Sequence, residues 1–331
     1  MTMQIVRAHS YGGPEVLAVE ELKLSPPGPG QALVEIAAAA VTFYDVCNRR
    51  GDFADRDYYK DEAVLPLSPG YQGAGVVVEV GPDVTDVRPG DRVVWIWGSG
   101  AYATHVVVPT ASLIPVPDDI DMEQMAGALI QAFVALKLTS ETYPVAAGEW
   151  CLVQSAAGGV GSLLCQMAKL RGAKVIGVAS TEEKAAVARE AGADEVIVST
   201  TADVPAEVKR ITGGPGVRVV YDGVGKDTFD DNLDSIAPRG YLIVYGQSSG
   251  FVPPLDLMTL QNKGSLYLNR FTIDYYFTSW PDQDYLEKLY GWMRSGDVSV
   301  RIDRRYPLEQ AAEAHAAVEF RKSAGRVLLV P

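Results

Sequence analysis

The sequence predicts an α/β protein in two parts, a β-rich amino-terminal domain followed by a doubly wound parallel sheet of six strands. Three observations predict it. Up to about residue 120 the chain consists of short strand-like runs punctuated by Gly and Pro. From about Met122 it alternates between helical and strand-like segments, the pattern of a parallel sheet covered by helices. Within that half, the turn Ala156-Ala157-Gly158-Gly159-Val160-Gly161 separates an apolar run, Trp150 to Gln154, from an amphipathic run, Leu163 to Leu170. The length of 331 residues exceeds what one core usually fills, and 47% hydrophobic content is ample for two.

In the first part, Gln31 to Ala37, Gly75 to Val80 and Asp91 to Trp95 read as strands. Turns such as Pro26-Pro27-Gly28-Pro29-Gly30 and Arg88-Pro89-Gly90-Asp91 separate them, and a helix is expected near Phe43 to Arg50. In the second part the strands are Cys151 to Val153, Val175 to Val178, Val196 to Val198, Val217 to Tyr221, Leu242 to Tyr245 and Leu266 to Leu268. Each of the first five is followed by a helical or loop crossover. Beyond Arg270, helices at Tyr285 to Ser295 and Leu308 to Arg321 and a strand at Arg326 to Val330 are expected to return to the first domain. The expected domains are therefore 1–124 completed by 271–331, and 125–270.

The glycine turn carries the chemistry. Small residues at Ala156, Gly158 and Gly161 suit a variant of G-x-G-x-x-G, which allows a tight turn, approach of backbone to a pyrophosphate and close helix-on-strand packing. The following helix start offers unpaired N–H groups to the anion. A second strand, Lys174 to Ala179, closes a βαβ unit of the expected size. An NAD-preferring site would end that strand with Asp or Glu, whereas this chain reads Ala179-Ser180-Thr181-Glu182-Glu183-Lys184. Hydroxyl and ammonium donors suit a 2′-phosphate, which favours NADPH over NADH; the alternative for Lys184 is a solvated surface lysine.

Formal charge is −13, from 42 acidic and 29 basic side chains, and no Lys/Arg-rich tract stands out, which argues against a nucleic-acid partner. Apolar stretches stop well short of a membrane span and Met1 to Ser10 lacks a signal-like core, so a cytoplasmic protein with no membrane partner is expected. Cys47, Cys151 and Cys165 form neither a metal-like spacing nor a disulfide framework, as in a reducing compartment. His9, His105 and His315 lie far apart and read as structural or surface residues.

Further segments carry a family resemblance: Gly12-Gly13-Pro14-Glu15-Val16-Leu17, Pro69-Gly70 with Gly73-Ala74-Gly75-Val76-Val77, Gly90-Asp91-Arg92-Val93, Val219-Val220-Tyr221-Asp222, and Tyr245-Gly246-Gln247-Ser248-Ser249-Gly250. With the glycine turn, the chain resembles the zinc-free quinone oxidoreductase branch of the medium-chain dehydrogenase/reductase superfamily. The resemblance implies a GroES-like catalytic domain, a Rossmann domain, a cleft between them and a homodimer whose sheets join edge to edge. Zinc-dependent relatives place Cys, His and a carboxylate where this chain has Thr42, Tyr71 and Gln72, so no metal is expected. The implied reaction is hydride transfer from NADPH to a small-molecule quinone or other α,β-unsaturated carbonyl. Alternatives are a dedicated reductase of one enone, enoyl thioester or haloacrylate, or a nucleotide-binding RNA-binding or structural relative without catalysis.

The same resemblance assigns site residues. Thr42 takes the place of an asparagine and is expected to donate a hydrogen bond near the substrate, with Tyr44 beside it; Asp45 is expected to orient backbone at the helix start, the alternative being a base. Phe53, Tyr59, Tyr71 and Gln72 are expected in the substrate pocket, where Cys47, Phe53, Gln72 and Val134 depart from the family. Tyr58, Trp95, Trp97 and the run Tyr275-Tyr276-Phe277 are further aromatic candidates. The expected NADPH contacts are Phe43, Ala157, Gly158, Gly159, Val160, Gly161, Ser180, Thr181, Lys184, Ser199, Gly246, Gln247, Arg270 and Arg321, the two arginines meeting phosphate charge.

Overall fold

The structure, a computed structural model, describes residues 2–54, 64–96, 98–276 and 282–331. The chain forms two compact units, Met1–Leu129 with Arg301–Pro331, and Ile130–Val300.

The first unit opens with β1 (Thr2–Arg7) and β2 (Ala18–Lys23), which pair with each other antiparallel as a separate two-stranded sheet. Next come β3 (Gln31–Val41), α1 (Phe43–Arg50), β4 (Gln72–Val80), β5 (Arg92–Ile96), β6 (His105–Pro109) and β7 (Ile114–Pro115). β3 is long enough to pair with β4 along most of its length and with β6 at its start. Val34, Ile36, Val77, Val93, Trp95 and Tyr102 fill the core against this sheet. α2 (Met122–Lys137) ends in a single π turn, Leu138–Thr142, and leads into the second unit.

There the chain alternates: β8 (Trp150–Val153), α3 (Gly159–Leu170), β9 (Lys174–Ala179), α4 (Glu182–Glu190), β10 (Glu195–Val198), α5 (Val204–Thr212), β11 (Val217–Asp222), α6 (Phe229–Ser235), β12 (Ile236–Val244), α7 (Leu257–Asn262) and β13 (Tyr267–Arg270). Among the described residues the six strands lie in the order β10-β9-β8-β11-β12-β13, and every neighbouring pair is parallel. The direction of winding reverses between β8 and β11, the place where doubly wound sheets bind ligands beyond their carboxyl ends. Strands buried on both faces explain why β8, β9 and β11 are continuous apolar runs rather than alternating ones.

After α8 (Gln283–Ser295) the chain returns with β14 (Ile302–Tyr306), α9 (Ala311–Glu319) and β15 (Arg326–Leu329). β15 pairs parallel with β14 and antiparallel with the end of β3, completing a seven-stranded sheet. The return falls at Arg301, not at 271 as the sequence suggested, and residues 125–129 stay with the first unit. Packing accounts for both differences. α8 buries Tyr285, Leu286 and Leu289, with the Tyr285 ring edge-on to Phe133 at 4.8 Å, while the Gln72 amide donates to the Ala126 carbonyl. The helix expected over Leu308 to Arg321 is shorter: a 3₁₀ turn covers Leu308–Gln310, and α9 ends at Glu319.

Candidate functional site

In the second unit the site is built from the turn between β8 and α3. Ser155 takes a left-handed φ of 54°, and its carbonyl accepts from the Gly158 N–H at 2.8 Å. Gly158 caps α3 without any side-chain hydrogen bond, and the first turn carries no acidic residue. The first helical bond joins the Ser162 N–H to the Gly158 carbonyl at 2.9 Å, so the amides of Gly159, Val160 and Gly161 have no intrahelical partner. Three free donors and the positive dipole end make a seat for a phosphate. A Cβ on Gly161 would lie 2.2 Å from the Ser155 carbonyl oxygen, so helix and turn touch backbone to backbone. Ala157 is buried beneath this turn.

β9 neighbours β8, which brings its carboxyl end beside the same turn. Thr181 caps α4, its hydroxyl oxygen accepting from the Lys184 N–H at 3.3 Å. Ser180 and Lys184 are half-buried, and no carboxylate ends the strand. Ser199, at the end of β10, donates its hydroxyl to the Ala179 carbonyl at 3.3 Å. Around this edge the donors are hydroxyl and ammonium, the set that accepts a 2′-phosphate.

Gly246 and Gln247 follow β12. The Arg270 guanidinium donates to the carbonyls of Val244 at 3.0 Å and Phe271 at 2.9 Å and to the Gln247 side-chain oxygen. The arginine expected to meet phosphate charge thus donates to two backbone carbonyls and one side-chain amide oxygen. A cavity of about 190 Å³ opens here, lined by Gln247 and Arg270 together with Phe229, Phe251 and Leu268.

In the first unit Thr42 caps α1 in a reciprocal box with Asp45. The Asp45 N–H donates to the Thr42 hydroxyl oxygen at 3.2 Å, and the Thr42 N–H and hydroxyl donate to Asp45 Oδ2 at 3.0 and 2.5 Å. Asp45 Oδ1 accepts from the amides of Gly70 and Tyr71, each at 3.1 Å. Burial raises the Asp45 carboxyl above its ordinary value, and these donors oppose the rise. The hydroxyl expected to serve the substrate therefore donates its hydrogen bond to Asp45. Through its bonds from Gly70 and Tyr71, Asp45 joins the start of α1 to the loop before β4. The consequence is aromatic: the Tyr44 ring lies 4.7 Å from that of Tyr71 and 5.6 Å from that of Phe53.

Thr42→Val removes both hydroxyl bonds of this box. It is expected to lower acceptor turnover about tenfold, and stability by about 1 kcal/mol, with NADPH affinity unchanged. Unchanged turnover in steady-state assays removes Thr42 from the mechanism.

Other sequence candidates separate. Trp95 is wholly buried in the core, and burial pushes the Cys47 thiol up to about 12, which leaves it inert at neutral pH. Phe43 is half-buried under Arg50, whose guanidinium carbon sits 5.7 Å above its ring. Tyr276 accepts the Thr142 hydroxyl at 2.8 Å and packs on Phe271, whereas Tyr275 is exposed. Arg321 belongs to the first unit, just past α9, with φ of 54°. Tyr58, Tyr59, Trp97 and Phe277 lie outside the described residues. Among the described residues no group of three or more His, Cys, Asp or Glu could hold a metal ion. Sequence reasoning gave no site role to Ser155 or Asp222. Nothing in the sequence marks the first, and a carboxylate closing an apolar strand before Gly223 is the signal for the second.

Comparisons with known proteins agree with this geometry. The family described as an alcohol dehydrogenase GroES-like domain matches residues 28–118, and that described as a zinc-binding dehydrogenase matches residues 159–283. A quinone oxidoreductase of Pseudomonas aeruginosa is 38% identical over 325 residues, covering 97% of this chain and 98% of that protein. A 2-haloacrylate reductase of a Burkholderia species is 37% identical over 328 residues, covering 98% and 97%. The crystal structure of Escherichia coli quinone oxidoreductase complexed with NADPH superimposes with a TM-score of 0.92 at 36% identity, over 99% of this chain and 100% of that one.

Proposed function

The chain belongs to the zinc-free quinone oxidoreductase branch of the medium-chain dehydrogenase/reductase superfamily, and we propose that it reduces quinones or other α,β-unsaturated carbonyls with NADPH and without zinc. The observation that carries this reading is the start of α3, without a side-chain cap, flush against the turn at Gly161 and beside a strand end that lacks a carboxylate. NADPH, when bound, supplies the hydride. The amides of Gly159, Val160 and Gly161 hold the pyrophosphate, and Ser180, Thr181 and Lys184 meet the 2′-phosphate. Gly246 and Gln247 face the nicotinamide half. In the first unit Tyr44, Tyr71 and Phe53 offer aromatic faces to a flat, conjugated acceptor, and the Thr42–Asp45 box holds Tyr44 in place. Thr42, Tyr71 and Gln72 are not zinc ligands of the usual kind, and the Gln72 amide is already spent on Ala126.

A second reading, a dedicated reductase of one enone, enoyl thioester or haloacrylate, draws support from Phe53, a buried apolar ring, and from the relative named 2-haloacrylate reductase. Loss of NADPH absorbance with p-benzoquinone, phenanthrenequinone and an aryl enone tests both. Quinone turnover supports the first reading and turnover with the enone alone the second. No turnover with any of them sets the reductase reading aside.

Charge reversal tests the cofactor preference: Lys184→Glu is expected to weaken NADPH about thirtyfold and NADH less than about threefold. Equal losses, measured by fluorescence titration, exclude Lys184 as the 2′-phosphate contact.

The protein is further proposed to act as a homodimer joined through β13. This strand ends the six-stranded sheet, all four of its residues are exposed, and the apolar Leu257 and Met258 of α7 are exposed as well. A net charge of −13 gives no support for a nucleic-acid partner, and no helix among the described residues is long and apolar enough to cross a membrane. Free cysteines suit the reducing cytoplasm.

A further inference from the structure

Asp222 closes β11 at the place where the sheet's winding reverses, and its side chain is wholly buried. The carboxylate accepts from the N–H of Val224 at 2.8 Å, the N–H of Gly225 at 3.1 Å and the Thr228 hydroxyl at 3.1 Å. Its backbone carbonyl accepts from the N–H groups of Tyr245 at 2.8 Å and Gly246 at 3.3 Å. One residue thereby holds the loops that follow both β11 and β12.

The two loops also interlock without side chains. A Cβ on Gly225 would stand 2.7 Å from the Gly250 carbonyl oxygen, and one on Gly246 would stand 2.7 Å from that of Gly223. The Ser249 N–H reaches the Val224 carbonyl at 2.8 Å. Neither loop can shift without the other. Next to Gly246, Gln247 is held by Arg270, which also pins the end of β12. The carboxyl ends of β11, β12 and β13 thus form one frame, and Asp222 is its buried anchor. A carboxylate is needed there because three donors converge on it; an amide of the same shape would turn its own N–H groups against them.

We propose that Asp222 is a positioning residue for the nicotinamide half of the cofactor, holding the Gly246–Gln247 loop in its binding geometry while touching no ligand itself. The inference rests on the reading that this loop contacts NADPH. The test compares NADPH with 2′-phospho-ADP-ribose, which has the same phosphates but no nicotinamide. Asp222→Asn is expected to raise the NADPH dissociation constant about tenfold and that of the fragment less than about twofold. A purely structural role would weaken both ligands alike or neither, and either result overturns the proposal.

Gln247→Ala separates the proposal from the reading beneath it. If Gln247→Ala weakens NADPH and Asp222→Asn does not, Asp222 has no positioning role. If neither does, the loop does not contact the cofactor, and the proposal falls with that reading. Should Asp222→Asn not fold, Thr228→Val removes one donor and is read the same way, with about a threefold effect expected on NADPH alone.

Discussion

Gly161→Ala is expected to raise the NADPH dissociation constant about a hundredfold, the largest loss of affinity from any single methyl group in this protein. The reason is space. The methyl carbon would stand 2.2 Å from the Ser155 carbonyl oxygen and 3.0 Å from the Ala156 Cα, and both neighbours are backbone. No rotamer relieves that contact, so the start of α3 must move away from the turn, taking with it the amides of Gly159, Val160 and Gly161. An anion seat depends on those donors converging, and displacing them by a fraction of an ångström forfeits much of a charge-assisted set. Overpacking of this kind costs about 1–3 kcal/mol of stability, a smaller effect than the loss of binding. Gly213 makes the control: it has a left-handed φ of 74° but nothing within 4 Å of its added Cβ. Gly213→Ala should cost about 1 kcal/mol of stability through strain and leave NADPH affinity alone. Calorimetric titration of the two variants decides the matter, and tight binding by Gly161→Ala would remove the α3 start from the cofactor site.

How far the sequence disclosed these features depended on whether a local pattern carried them. α1 begins and ends where expected and β9 matches the wider of its two expected spans, because one starts at a threonine-to-aspartate cap and stops at a glycine and the other is a nearly unbroken apolar run. The glycine turn was legible for the same reason. Features set by distant partners were not. α8 looks like any amphipathic helix, and the packing of Tyr285 on Phe133 is a long-range contact that joins it to the second unit. Thr42 reads in the sequence as a free donor, whereas in the fold its hydroxyl donates to Asp45. Arg270 had the charge for a phosphate, yet it donates to the carbonyl of Val244 on the neighbouring strand and to that of Phe271 beside it. A side chain's type is local information, whereas its partners are a property of the fold.

His315 shows what such a hidden partnership does to stability. The ring is wholly buried in the first unit and stands edge-on to Tyr102 at 5.6 Å. Its Nδ1 lies 3.5 Å from an Arg49 guanidinium nitrogen, and that arginine, itself fully buried, is paired with Glu319 at 2.6 Å. Only a neutral ring can present a lone pair to Arg49; a protonated one would set two cations side by side without water. Burial first, and the Arg49 charge second, pull the His315 pKa from the ordinary 6.5 down to about 3. The native state therefore resists a proton that the unfolded chain accepts. The stability that neutrality contributes is fully present above pH 6.5 and is lost progressively as pH falls toward about 3, a loss on the order of 5 kcal/mol. Asp222 acts in the opposite sense: burial raises its pKa from 3.8 to about 6, so across that interval its contribution weakens as pH rises. His315→Gln keeps an oxygen for Arg49 but has no proton to gain. Urea unfolding at pH 7 and pH 4 should show a much smaller acid loss in His315→Gln than in the parent chain. Equal losses in the two proteins would mean that His315 is already protonated in the fold.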